Sequence, residues 1–71
     1  MSETLPVVVE NSLQIAWDFL ERSGEITDAG DSSRFLLMTI AELVRKGERR
    51  KLMLANRAID AHRRRKSDIA A

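Results

Sequence analysis

Arg50, Arg57 and Arg64 recur at intervals of seven in the stretch from Gly47 to Lys66. At about 100° per residue, a period of seven returns almost to the same side of a helix. The three guanidinium groups then form one row, roughly 10 Å from each to the next. Arg49 joins that face, and Arg63, Arg65 and Lys66 carry positive charge around the helix. A guanidinium fork pairs with carboxylate or phosphate, so Arg49, Arg50, Arg57 and Arg64 form a candidate surface for an acidic protein partner or a nucleic-acid backbone. Phosphate contacts would bring salt-sensitive, sequence-independent affinity. Base reading needs Asn, Gln or Arg aimed into a groove. Here Asn56 lies at the edge of the opposite face, and Asp60 sits inside the basic row, where it repels phosphate. A solvated face laced by i,i+4 pairs such as Asp60–Arg64 accounts for the same residues.

Other chemistry has a thin inventory. His62 is the single imidazole. Nucleophilic catalysis needs a nucleophile, a base and a group that orients the base. The helical reading sets His62 one turn beyond Ile59 on the packing face with no serine beside it, which makes it a packing residue. Asp18 and Glu21 are three apart, with Glu25 near them, but nothing marks a cleft for acid–base work. They read as a solvated face with an Asp18–Arg22 pair. The acids of residues 25–31 invite a test for a calcium loop, which needs a glutamate at its twelfth position. Counted from Asp28, that position is Thr39. There is no glycine-rich phosphate loop and no cysteine, so thiolate metal sites are excluded and an all-protein zinc site is not expected. The expectation is a protein that is not an enzyme and that uses no cofactor, metal or small-molecule substrate.

Three helical stretches must position these residues. The spacing predicts helices at roughly 6–23, 32–46 and 48–66, an all-α fold in the form of a small three-helix bundle. Thr4 and Pro6 suit the start of the first helix. An alternative start at Asn11, with Gln14 completing a capping box, would leave Val7–Val9 extended; the early start is preferred because Val9, Leu13, Ala16, Trp17 and Leu20 then form one apolar stripe. Val8, Ile15 and Phe19 form a second stripe beside it. Trp17, between Leu13 and Leu20, reads as core. Ser23-Gly24 ends the helix, with Ile26 folding back on it, and Asp28 or Asp31 caps the next. In the second helix Leu36, Leu37, Ile40, Leu43 and Val44 share a face, while Phe35 and Met38 lie off it. Gly47 ends this helix. In the third, Leu52, Ala55, Ala58, Ile59 and His62 gather on the packing side. The second and third helices do not read as a helix-turn-helix, despite Gly47 in the turn, because Glu42 falls where an apolar contact is needed and Glu48 follows the glycine directly.

Length and charge add constraints. With 71 residues the chain is expected to be a single domain spanning 1–71, frayed at 1–5 and 67–71. A chain this short is marginal as a lone monomer. Lacking disulfides and metal, it has self-association as its remaining support. The two apolar stripes of the first helix, with Phe35 and Met38, exceed what three short helices readily cover. A homodimer is therefore expected, with Val8, Ile15, Phe19, Phe35 and Met38 as the self-association residues. Residues 1–34 carry a net charge of −5 and residues 35–71 a net charge of +6. Such segregation marks either a surface for a charged partner or two halves that face each other. No leader pattern and no apolar run of membrane-spanning length is present, which points to a cytoplasmic protein without a membrane partner. The leading functional expectation is a small, non-catalytic, regulatory type of protein that works through protein–protein interaction and homodimerisation. The second is a nucleic-acid-binding accessory protein using the basic face of the third helix.

Overall fold

Short-range devices set the helix ends. The structure is a computed structural model that describes residues 4–70, with side chains from Thr4 to Arg65. Helix α1 spans Leu5–Arg22, α2 spans Ala29–Arg45 and α3 spans Lys51–Ala70. No strand occurs among the described residues, and the fold is the expected all-α three-helix bundle. Thr4 stands in extended conformation ahead of α1, and Pro6 lies in the first turn, where its missing N–H costs nothing. The early start is the one adopted, so Val7–Val9 are helical. The N-terminal fraying expected for residues 1–5 falls partly outside the described residues; Leu5 is helical.

Both short helices end with the same motif. At α1, the N–H of Gly24 donates to Glu21 O at 3.1 Å and that of Glu25 to Leu20 O at 2.9 Å. At α2, Gly47 donates to Val44 O and Glu48 to Leu43 O, each at 3.0 Å. This paired bonding needs a left-handed residue after the cap. Gly24 and Gly47 supply it with φ of 71° and 110°. Ile26 packs back on the core, as the pattern requires.

The starts of α2 and α3 shift from expectation by three residues each. Helix α2 begins at Ala29 rather than Ser32, because Asp28 Oδ1 accepts the Asp31 N–H at 3.0 Å and so caps the helix ahead of Gly30. Helix α3 begins at Lys51 rather than Glu48. The left-handed Gly47 is followed by a link, 48–50, in which Glu48 Oε1 accepts the Arg50 N–H at 3.1 Å. Arg50 then offers its carbonyl to Leu54 N at 2.9 Å as the first helical bond. At the other end α3 does not stop near Ser67. It runs to Ala70, since nothing from Lys51 onward breaks a helix.

The core is built from two lines of residues spaced by four. Val8, Ser12, Ala16 and Leu20 are the buried residues of α1, and Ser32, Leu36, Ile40 and Val44 those of α2. Such i, i+4 lines are the ridges that one helix packs into the grooves of another. Ser12 is fully buried, and its hydroxyl donates to Val9 O at 2.9 Å, which satisfies it within its own helix. Helix α3 contributes Leu54, Ala55, Ala58, Ile59 and His62. Trp17 is half-buried against this core, with Val9, Leu13, Ile15 and Leu43. Two leucines depart from the expected faces. Leu52 is 64% exposed and Leu37 is 45% exposed. Leu52 stands about 90° from the centre of the buried face of α3 and lies in the first turn, so Leu54 takes the core position. Leu37 stands about 80° from the centre of the buried line of α2, on the side turned toward α1.

Truncation should separate the two leucines of α3. Leu54→Ala removes a fully buried side chain and is expected to cost about 2–5 kcal/mol. Leu52→Ala should stay within about 0.5 kcal/mol of the wild type. Urea unfolding followed by circular dichroism measures both. Equal losses would contradict the assigned core.

Candidate functional site

The arginines of the candidate surface do not form the expected row. Arg50 precedes α3, and its side chain turns back on Glu48, with Nε donating to Oε1 at 2.9 Å and Nη2 to Oε2 at 3.3 Å. Those side-chain bonds, and the bond from the Arg50 backbone N–H, hold the Glu48 carboxyl below the ordinary value of 4.5; the nearby charge of Arg57 acts in the same direction. Arg49 caps α2, donating through Nη1 to Val44 O at 2.5 Å. Its charge therefore sits at a helix C-terminus, where the macrodipole favours a cation. Arg57 and Arg64 remain on the outer face of α3, two turns apart, and Arg64 Nη2 meets Asp60 Oδ2 at 2.6 Å. The structure thus keeps two of the four candidates on one outward face and commits the other two to the link between α2 and α3.

A denser arrangement joins the connector of α1 and α2 to the last turns of α3. Arg63 donates through Nε and Nη2 to the two carboxylate oxygens of Glu25, both at 2.9 Å, and lies 5.0 Å from the centre of the Phe19 ring. Arg65 pairs with Asp31 and lies 4.6 Å from the centre of the Phe35 ring. Each guanidinium is thus held by an acid and stacked on an aromatic face. Between them, Ser32 Oγ and His62 Nε2 are 3.0 Å apart, both side chains being buried, and the Phe35 ring meets the imidazole edge-on at 6.1 Å. This corrects the expectation that no serine lies near His62. The earlier start of α2 carries Ser32 into the buried line and under α3. His62 is a packing residue, as expected, with a polar partner that its own helix did not disclose.

The five residues expected to mediate self-association are not brought together. Val8 belongs to the buried line of α1 and is not on the surface. Ile15 is half-buried against the core. Phe19 and Phe35 lie on opposite flanks of α3, because their partners Arg63 and Arg65 are two positions apart and so about 200° apart around that helix. Met38 is 66% exposed and borders, with Phe35, a shallow groove on α2 that Thr39, Glu42, Leu43 and Lys46 complete.

A wide apolar concavity lies elsewhere, along the α1–α2 crevice. At one end Leu5, Pro6 and Val9 face Ala41 and Val44 around about 650 Å3, with Arg45 and Arg49 at the mouth. At the other, Leu13 and Trp17 face Ser33, with Glu10 and Gln14 on the rim. Ser33 and Ala41 border the two grooves, and Leu37 lies four residues from each, so it occupies the same side of α2. Sequence reasoning missed this face because Leu13, Trp17 and Leu37 were counted as interior. The signal available was the width of the apolar arc on α1, which exceeds what two neighbouring helices cover.

Among the described residues no group of His, Asp and Glu is placed to hold a metal ion, and no helix is long and apolar enough to cross a membrane. No protein-family model matches the chain, and no curated protein or solved structure matches it.

Two measurements follow from this geometry. Ser32→Ala removes the hydroxyl from a buried imidazole nitrogen and should cost about 1–3 kcal/mol in urea unfolding; an unchanged stability would mean that the pair carries no weight. The Glu48 carboxyl should titrate below 4.5 when followed by NMR, and rise toward that value in Arg50→Gln. Because the folded value is the lower one, this pairing supports the fold above the unfolded value and is lost as pH falls through the folded one. A Glu48 midpoint that does not move in Arg50→Gln would contradict the assignment.

Proposed function

We propose that this chain is a cytoplasmic, non-catalytic interaction module that acts by docking its helical surface on protein, a second copy of itself included. The observation that carries this reading is the open α1–α2 crevice, where Leu5 and Leu37 are exposed beside half-buried Val9, Leu13, Trp17 and Ala41. An exposed apolar face of this kind, rimmed by polar residues, is the usual mark of a protein interface. The absence of cysteine accords with a reducing compartment.

The distribution of polar groups supports a role without catalysis. Ser32 and His62 are both buried, which supports a packing role for the pair. The nucleic-acid reading is the weaker one. Arg49 and Arg50 are turned to a carbonyl and a carboxylate of their own chain, Arg63 and Arg65 are stacked and paired, and Asp60 accompanies Arg64. A phosphate backbone would have to displace these partners before releasing its counterions.

Two readouts test this. Sedimentation equilibrium over a wide concentration range should show association beyond one chain; the mass of a single chain at every concentration would overturn self-association. Fluorescence anisotropy with labelled duplex DNA and single-stranded RNA should show no binding at roughly 50 mM salt. Binding that collapses by roughly 200 mM would reverse the order of the two readings in favour of nucleic acid.

A further inference from the structure

The self-association reading leaves open which face pairs and in what orientation. We infer that two copies join through the α1–α2 crevice, with a two-fold axis running parallel to the helices, so that α1 of one protomer lies against α2 of its partner. The inference rests on the proposed self-association and adds the interface and its geometry.

Charge placement selects this arrangement. On α1, Glu10 borders the crevice, and Glu21 follows eleven residues later, about 20° further around the helix. On α2, Arg45 borders the crevice, its side chain 76% exposed and only loosely paired with Glu42 Oε2 at 3.6 Å, and Arg34 precedes it by the same eleven residues. The face therefore carries two acids along α1 and two arginines along α2 at matching separations of about 16 Å. Between these charges lie Pro6, Val9, Leu13, Trp17, Leu37 and Ala41.

The register follows from the crevice itself. Val9 and Ala41 line one groove and Trp17 and Ser33 the other; taking each pair as level neighbours on antiparallel helices sets the register. Glu10 is then level with about Ile40 and Glu21 with about Ala29. A two-fold axis parallel to the helices preserves level, so Glu10 meets the partner's α2 about five residues, or roughly 7.5 Å, from Arg45. Glu21 stands in the same relation to Arg34. Cα–Cβ bonds tilt toward the N-terminus of their own helix. In antiparallel neighbours, Glu10 and Arg45 lean toward each other and narrow that offset, as do Glu21 and Arg34. The other two-fold arrangement, with the axis in the interface and across the helices, sets α1 on α1. With that axis level with about Leu13, Glu10 and Glu21 of the two copies, and likewise Arg34 and Arg45, come within about five residues of each other along the helices, juxtapositions of like charge that disfavour it.

The face suits a small interface, with concentration-dependent pairing. Helices of 18 and 17 residues make a face about 27 Å long and two helices wide, on the order of 500 Å2 in projection and more when corrugated. A stable interface uses roughly 800 Å2 per partner. Tryptophan and arginine are among the residues that dominate such interfaces.

The test is sedimentation equilibrium of the full chain, with circular dichroism to confirm the fold of each variant. Leu37 and Arg45 are exposed, so Leu37→Glu and Arg45→Glu should leave the fold intact and weaken dimerisation at least about tenfold. Glu10→Arg combined with Arg45→Glu should restore it. A wild-type dimer that survives both single substitutions overturns this interface and leaves self-association standing through another face. Weakening by Arg45→Glu without rescue overturns the orientation. A wild-type chain that is monomeric at all concentrations overturns the interface and the self-association reading together.

Discussion

The arrangement depends on how closely α3 packs on the other two helices. Its buried face is made of Ala55 and Ala58 between Leu54 and Ile59, and α1 offers Ser12 and Ala16 among its fully buried residues. Small side chains let helix backbones approach. The interior is then filled by a few larger groups, chiefly Leu20, Leu36, Ile40 and Leu54. A core this economical leaves little tolerance, because interiors are packed near crystal density. It also fixes the rotation of α3 about its own axis. Once His62 points inward at Ser32, residues one position C-terminal and three positions C-terminal must emerge on opposite flanks. Arg63 therefore reaches Phe19 and Glu25, and Arg65 reaches Phe35 and Asp31.

That geometry settles where much of the segregated charge goes. The acidic first half and basic second half meet within one protomer, at the end of the bundle where the α1–α2 connector lies under α3. Pairs at this exposure are individually worth little, a few tenths to about 1 kcal/mol. Each guanidinium here also covers an aromatic face, so its methylene stem and plane shield apolar surface that the short helices leave open. The arginines act as part of the covering of Phe19 and Phe35. The composition that suggests a phosphate-binding helix is to that extent spent on closing the fold.

The helices were legible in the sequence because their signals are local. Pro6, Ser23-Gly24, Asp28 and Gly47 each specify an end through a bond or a φ value within a few residues, and the apolar periodicity between them identifies the bundle. The shifts at the starts of α2 and α3 arise where two local devices compete. Asp28 and Asp31 both suit a cap, and Glu48 follows a glycine closely enough to begin a helix, yet it bonds the Arg50 N–H instead. The rotation of each helix about its axis was less legible. Leu36 and Leu37, or Leu52 and Leu54, differ by 100° or 200°, and an average apolar face does not show which member the neighbouring helix will cover. The Ser32–His62 pair shows the same limit. It joins residues thirty positions apart, and no periodicity within either helix encodes the distance between them.

The same limit governs where the apolar surplus lies. Counting apolar residues shows that three helices cannot enclose them all, and that count does not depend on rotation. How much of the excess falls on Phe19 and Phe35 does depend on it, through whether α3 leaves those rings bare. With α3 turned so that Arg63 and Arg65 lie against those rings, Phe19 is still 44% and Met38 66% exposed, and further apolar width lies uncovered along the α1–α2 crevice. On that side the rim of α1 is acidic and the rim of α2 is basic. A flat apolar face alone accepts many partners, whereas oppositely charged rims on antiparallel helices would favour one relative orientation in the pairing proposed above. The charge pattern left over after the fold has used its share is therefore more informative about a partner than the net charge of the chain.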